Sequence, residues 1–113
     1  MSYPCRGEIW LADLDPTVGH EQAGKRPCLI FSVDKFNQSK AELIVVIPLT
    51  TKDRGIALHI PIEAFEGGLK YLSFIKCENI RSISTERLFK YIGRVSEITM
   101  RLVENRVRII LGL

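Results

Sequence analysis

Apolar positions along the chain fall into short runs, separated by stretches rich in Gly, Pro, Asp and Asn. Short runs of β-branched and aromatic residues between such breaks are typical of strands. We expect strands over residues 8–14, 26–33, 43–49, 58–62, 71–80 and 89–95. The pattern therefore predicts a mainly β fold, an α+β arrangement in which the helices are short.

The run LIVVIPL at 43–49 is apolar almost without interruption. A strand with no polar side is usually covered on both faces, so we expect this run to be the central buried strand. Pro48, near its end, has no N–H to donate to a neighbouring strand, and we expect the chain to leave the sheet there. Thr50 and Thr51 would then stand at a strand end facing a loop.

The clearest helical spacing lies at the C-terminal end. Between a Ser96 N-cap and a Gly112 C-cap, one apolar stripe is formed by Met100, Val103, Val107 and Ile110. A second apolar set lies off that stripe, namely Ile98, Leu102 and Ile109. A subunit interface would account for this second face, and so would deep packing of the helix. A shorter helix is expected over 84–88, with Ser84 as its N-cap.

The predicted strand over 71–80 carries several polar residues near its end. Successive side chains of a strand point to opposite faces, so Lys76 and Glu78 should share one face. Asn79 should then lie on the opposite face, with Cys77.

Composition narrows the class of protein. At 113 residues the chain is expected to form one domain over 1–113. A formal net charge of +3 permits phosphate binding without requiring it. Three cysteines, without CxxC spacing, favour a reduced cytoplasmic protein with no metal site. No N-terminal apolar segment or membrane-length apolar run is present in the sequence, so no membrane association is expected.

The loop DLDPTVGHEQAGKRP, residues 13–27, concentrates the candidate chemistry. Its prolines and glycines favour turns, whereas His20, Glu21 and Arg26 bring an imidazole, a carboxylate and a guanidinium within seven residues. Loops of this length in compact domains are usually functional or disordered. A solvated ion pair in a polar loop is the alternative interpretation.

The chain resembles the MazF/PemK family of toxin endoribonucleases from bacterial toxin–antitoxin modules, over residues 6–113. The resemblance rests on three ordered blocks: RGEIW (6–10), LDPT (14–17), GHEQ (19–22), Gly24 and RP (26–27); VIPLT (46–50); and CENIRSI (77–83), followed by Arg87-Leu88 and Ile92-Gly93. Lys76 stands where some relatives have arginine, Glu78 where some have aspartate, and Asn79 where most have glutamine.

The resemblance implies a small SH3-like curled β-barrel with a C-terminal helix. It also implies sequence-specific, metal-independent cleavage of single-stranded mRNA to 2′,3′-cyclic phosphate and 5′-hydroxyl ends, without a cofactor. The implied partners are a second copy of the chain, as a homodimer, and an antitoxin with an acidic disordered tail; operator DNA would be contacted only through the antitoxin. The alternatives are a non-catalytic toxin resembling the CcdB gyrase poisons and a catalytically silent RNA-binding barrel.

Metal-free RNA cleavage needs a base, positive charge on the phosphorane and a proton donor. Arg26 can hold two phosphate oxygens at once, and the family adds a possible proton-donor role. His20 could replace it as donor, because imidazole titrates near neutral pH. Glu21 or Glu78 could be the base, with Glu21 favoured. The Thr50 hydroxyl could donate to a non-bridging oxygen, or simply bond its own backbone.

Substrate contacts are expected from both polar segments, through Gln22, Lys25, Thr51, Lys76, Glu78 and Asn79. Lys76 would contact a phosphate, and the Asn79 amide could read a base edge or pair with backbone. Polar, basic loops over 35–40 and 51–57 would border the groove.

Overall fold

The computed structural model describes residues 3–113 and contains seven strands and two α-helices. The strands are β1 (Glu8–Asp13), β2 (Lys25–Ile30), β3 (Leu43–Thr50), β4 (His59–Ile62), β5 (Ser73–Lys76), β6 (Arg81–Ser84) and β7 (Leu88–Arg94). The helices are α1 (Asp34–Asn37) and α2 (Glu97–Leu111), and 3-10 turns cover Glu66–Gly68, Cys77–Asn79 and Thr85–Arg87. Every predicted strand region contains a strand; β6 was not predicted as a separate one.

The strands form one antiparallel sheet in the order β4-β5-β3-β2-β1-β7. β3 lies at its centre, with β2 along one edge and first β6 and then β5 along the other. Within residues 3–113, β4 and β7 end the sheet without pairing to each other, so the curled sheet is open rather than a closed barrel. The predicted mainly β class with a C-terminal helix is confirmed.

Apolar side chains of the central strands form two cores, one on each face of the sheet. The first lies under α2 and includes Ile9, Leu29, Ile47, Leu49, Ile75, Val103 and Val107. The second lies on the opposite face and comprises Ala12, Leu14, Cys28, Ile30, Ile44, Val46 and Ile83. Strand alternation explains the division, since neighbouring residues of β2 and β3 enter different cores. The prediction that residues 43–49 form the central buried strand is confirmed.

The prediction that the chain leaves the sheet at Pro48 is wrong. β3 continues to Thr50, with Leu49 opposite Ile75 and Thr50 opposite Phe74. Along this edge β6 pairs only as far as Val46, and β5 begins at Leu49. Pro48 therefore lies between two partner strands, where a missing N–H does not interrupt a ladder.

The predicted strand over 71–80 is also shorter than expected. β5 ends at Lys76, and the 3-10 turn Cys77–Asn79 follows before β6 begins. A 3-10 turn has three residues per turn, so the two-residue alternation of a strand does not continue through it. The expectation that Asn79 faces away from Lys76 and Glu78 fails for this reason.

The caps of α2 are those predicted. Ser96 Oγ accepts a hydrogen bond from Thr99 N at 3.2 Å, and Gly112 ends the helix with φ +70°. Met100, Val103 and Val107 are buried, whereas the second apolar set remains 72%, 44% and 63% exposed at Ile98, Leu102 and Ile109. Deep packing within the subunit therefore does not explain that set. No helix within residues 3–113 has the length and apolarity required to cross a membrane.

Candidate active site

Four neighbouring strands each direct one polar residue to the same face of the sheet, near their ends. His59 of β4 is paired with Lys76 of β5, and the β3–β5 register continues to place Lys76 opposite Pro48. The β2–β3 register, in which Cys28 is opposite Pro48, places Arg26 opposite Thr50 when it is extended by two residues. Because paired residues share a face, strand geometry alone aligns Arg26, Thr50, Lys76 and His59.

The β1–β2 loop, residues 14–24, covers this face and encloses a groove of about 510 Å³. The groove is lined by Gly19, His20, Glu21, Gln22, Ala23, Arg54, Ile56, His59, Lys76, Glu78 and Asn79. Bonds at the base of the loop fix its ends: Leu14 N donates to Gly24 O at 3.0 Å, and Gly24 N donates to Asp15 Oδ1 at 3.1 Å. We call the opposite side, formed by His59, Lys76, Glu78 and Asn79, the groove wall.

A hydrogen-bond network joins the loop to the groove wall. Lys76 Nζ donates to Gln22 Oε1 at 2.7 Å, and Gln22 N donates to Asn79 Oδ1 at 3.1 Å. Asn79 Nδ2 lies 3.4 Å from Glu78 Oε2, which His59 Nε2 approaches to 2.7 Å. Lys76, Glu78 and Asn79 are thus brought together with Gln22, and the Asn79 amide bonds to both backbone and side chain.

Positive charge converges on the groove. Burial lowers the pKa of Lys76; Glu78 raises it in part, and Arg54 and Arg26 lower it further. The two arginines are therefore close enough for their fields to act on the Lys76 ammonium, with Glu78 as the opposing anion. Such an arrangement favours binding of an added anion such as a phosphate.

Arg26 and Thr50 stand beside the network. Arg26 is half-buried and donates from Nε to Ala23 O at 3.2 Å, while its two terminal nitrogens make no hydrogen bond to residues 3–113. Thr50 is buried, and its Oγ1 accepts from Lys52 N at 3.2 Å. The strand-end backbone bond expected as one alternative is present, and the hydroxyl still retains its own proton to donate.

Four other predicted residues make no bond in the network. Glu21 is exposed, and its Oε1 accepts from Val18 N at 2.6 Å within the loop. Lys25 Nζ lies 5.8 Å from the centre of the Phe89 ring, away from the groove lining. Thr51 is exposed just beyond β3, whereas His20 and Glu21, also exposed, do line the groove.

One polar groove residue escaped prediction from the sequence, His59. The His59 side chain is 2% exposed, and its Nδ1 is buried without a hydrogen-bond partner among residues 3–113. An unsatisfied buried polar atom costs about 1–3 kcal/mol. A histidine inside the apolar strand run LHIPI was the available signal. Arg54 lies in the polar loop 51–57 that was expected to border the groove, and it does line the groove. Among residues 3–113, no cluster of three or more His, Cys, Asp or Glu is arranged for a metal ion.

A mainly β fold with a groove that holds several cations beside a carboxylate defines a class of protein suited to binding anions. Residues 5–111 match the family described as "PemK-like, MazF-like toxin of type II toxin-antitoxin system". The chain belongs to this family, as its sequence blocks predicted. Membership in this family argues against the alternative of a non-catalytic toxin resembling the CcdB gyrase poisons.

Individual relatives agree with the family and with the fold. The chain is 35% identical to "Endoribonuclease MazF9" of Mycobacterium tuberculosis, covering 96% of each chain. A crystal structure of MazF from Deinococcus radiodurans matches with a TM-score of 0.90 at 22% identity, covering 100% of both chains. An endoribonuclease in complex with its cognate antitoxin, from a Mycobacterial species, matches with a TM-score of 0.78 at 25% identity, over 100% of this chain and 97% of that one. The protein described by this structure is therefore an endoribonuclease of this family.

Proposed function

We propose that the protein is a metal-independent, sequence-specific endoribonuclease that cleaves single-stranded mRNA to 2′,3′-cyclic phosphate and 5′-hydroxyl ends. It acts in this proposal as the toxin of a toxin–antitoxin pair in the cytoplasm. The observation that carries the proposal is the alignment of Arg26 and Thr50 at facing strand ends, beside the Lys76–Gln22–Asn79–Glu78 network.

The phosphate would be held by Arg26 and Thr50. The free terminal nitrogens of Arg26 can bond two non-bridging oxygens in one plane, and the Thr50 hydroxyl can donate to the same group. Lys76 and Arg54 add positive charge where the pentacoordinate phosphorane gains negative charge. Arg26, Thr50 and Lys76 need no rearrangement of the strands, because each belongs to a strand of the sheet.

The 2′-hydroxyl proton would pass to Glu78. One oxygen of this carboxylate is held by His59 and the side chain is 30% exposed to the groove, whereas the Glu21 carboxylate is bonded inside its own loop. Glu78 is therefore a better candidate for the general base than Glu21, the residue that the sequence favoured. His20 lines the groove and is the candidate donor of a proton to the departing 5′-oxygen.

Unstacked bases would be read by the amides of Gln22 and Asn79. Single-stranded RNA exposes the base edges that such amides can recognise, and both residues line the groove. Breaking the Gln22–Lys76 bond would free the Gln22 carbonyl for a base and the Lys76 ammonium for a phosphate. Thr51 and Lys25, which the sequence also predicted as substrate contacts, lie outside the groove lining and are left out of this proposal.

Two protein partners belong to the proposal. The acidic disordered tail of an antitoxin would occupy the cationic groove and fold on binding, and operator DNA would be reached only through that antitoxin.

A second copy of the chain would cover the exposed stripe Ile98, Leu102 and Ile109 of α2. Light scattering should give a dimer mass for the wild type and for Arg101→Asp, an exposed control on the same helix, but a monomer mass for Ile109→Asp. A monomeric wild type would contradict the homodimer.

The nuclease itself is tested with a single-stranded RNA in excess EDTA. We expect cleavage to continue, with 2′,3′-cyclic phosphate and 5′-hydroxyl ends on the products. A 2′-deoxy substitution at the cleaved nucleotide should abolish the cut, because the 2′-oxygen is the attacking atom. Loss of activity in the chelator, restored by a divalent ion, would refute the metal-independent mechanism.

A further inference from the structure

His59 and Glu78 form a pair that spans the boundary between the core and the groove. His59 begins β4 and is held in register opposite Lys76. Its side chain is 2% exposed and that of Glu78 is 30% exposed, while the two are joined by a 2.7 Å contact between Nε2 and Oε2. RNA in the groove could therefore contact Glu78, but it could not reach most of the imidazole ring.

The surroundings of the ring fix where its proton lies. An ionised carboxylate only accepts hydrogen bonds, so the Nε2 atom that faces Glu78 must carry a proton. Nδ1 is buried without a partner among residues 3–113. The opposite tautomer would place two acceptors 2.7 Å apart and would leave an N–H donor unpaired at Nδ1. The neutral ring is therefore held in the Nε2–H form.

Glu78 depends on this contact for its orientation. The residue lies in the short 3-10 turn after β5, and its other side-chain bond is a long one from Asn79, 3.4 Å, to the same oxygen, Oε2. His59 comes from a paired strand and is packed in the core, so it offers a fixed donor. Oε2 is occupied by these contacts, and Oε1 is left for the substrate.

We propose that His59 is a positioning residue that holds Glu78 Oε2 so that Oε1 is presented to the groove as the proton acceptor. The proposal rests on the endoribonuclease function above and deepens it. No bond changes at His59. The 2′-hydroxyl proton moves to Glu78 Oε1 as the 2′-oxygen attacks phosphorus, the bond from phosphorus to the 5′-oxygen breaks, and the departing 5′-oxygen takes a proton from His20. The His59 Nε2–H bond to Oε2 persists throughout. The imidazole keeps the Glu78 carboxylate in its reactive orientation and does not accept the 2′-hydroxyl proton itself.

The matched pair His59→Leu and His59→Gln separates this role from simple packing. Leucine removes the donor, whereas glutamine places an amide nitrogen near the position of Nε2. We expect His59→Leu to lower kcat by roughly 100-fold, the scale of misplacing a reacting group, with KM changed by less than about twofold because the phosphate contacts remain. His59→Gln should keep kcat within about tenfold of wild type, since the bond to Oε2 is re-formed.

A double-mutant comparison identifies Glu78 as the route of the effect. Because His59 acts only through Glu78, His59→Leu added to Glu78→Gln should lower kcat no further than Glu78→Gln alone. A histidine that only fills space in the core would behave differently: replacing it by leucine would leave kcat intact, and any loss would add to that of Glu78→Gln. Thermal melting of each variant shows whether the fold is retained.

A measurement on the unmodified protein does not depend on turnover. The ¹⁵N NMR shifts of His59 should report the Nε2–H tautomer near neutral pH, and Glu78→Gln should weaken that preference. An Nδ1–H tautomer in the wild type would overturn the inference even if no variant folds. If folded His59→Leu turned over at the wild-type rate, the positioning role of His59 would be wrong and the endoribonuclease function would stand. If the wild type had the Nε2–H tautomer but cleaved no RNA, the proposed function would be wrong instead.

Discussion

The two sides of the groove differ in how firmly they are held. The β1–β2 loop supplies His20 and Glu21 as exposed side chains, and the Glu21 carboxylate is occupied by the backbone of its own loop. The groove wall supplies Lys76, Glu78 and Asn79 from the end of β5, supported from beneath by the buried His59. Charges at partly desolvated, fixed positions act more strongly than solvated ones. We therefore expect the wall and the adjoining strand ends to hold the phosphate and accept the 2′-hydroxyl proton, and the loop to cover and select the RNA and to supply the proton donor His20.

The largest loss should follow Arg26→Lys. Lysine keeps the charge but loses the planar, two-point grip on the phosphorane, so turnover should fall by roughly 100-fold or more while RNA binding weakens little. Single-turnover cleavage and binding of an uncleavable 2′-deoxy analogue separate these two quantities. If Arg26→Lys turned over at the wild-type rate, the assignment of these strand ends to the active site would be wrong.

Thr50→Ala should have an intermediate effect. The hydroxyl is a neutral donor worth about 1–2 kcal/mol, which corresponds to a fall in turnover of about 5- to 30-fold. Thr51→Ala is the matched control, because Thr51 is exposed beyond β3 and stands outside the groove lining. Equal losses in the two variants would contradict the placement of Thr50 at the phosphate.

The smallest difference should be seen between Lys76→Gln and Lys25→Gln. Lys76 lies in the groove, whereas the Lys25 ammonium lies over the Phe89 ring. For single-stranded RNA, loss of one phosphate contact should lower the slope of log affinity against log salt by about 0.7. We expect this change for Lys76→Gln and almost none for Lys25→Gln, measured by binding of the uncleavable analogue at several salt concentrations. The reverse order would restore Lys25 as the substrate contact that the sequence predicted.

Local signals in the sequence were sufficient for the elements that depend on local physics. The continuous apolar run predicted β3, and cap residues on either side of the stripe Met100, Val103 and Val107 predicted both ends of α2. Motif spacing also identified the loop and the strand that meet at the groove. Each of these features is determined by residues close together along the chain.

Features that depend on pairing between distant segments were not predictable. The turn Cys77–Asn79 interrupts the alternation assumed for 71–80, and this brings Asn79 to Gln22, 57 residues earlier. Pro48 is tolerated because β6 gives way to β5 at that point. His59 reaches the site only through its register with Lys76 and a contact with Glu78, neither of which leaves a mark in the local sequence.

The most direct test of the contrast between loop and wall is the single-turnover cleavage rate of Glu78→Gln beside that of Glu21→Gln. Both changes replace a carboxylate by an amide of the same shape, and they differ only in the side of the groove. General-base catalysis is typically worth about 100- to 10,000-fold, so we expect Glu78→Gln to lose at least about 100-fold and Glu21→Gln less than about threefold. A large loss in Glu21→Gln with an active Glu78→Gln would contradict the assignment of the chemistry to the groove wall.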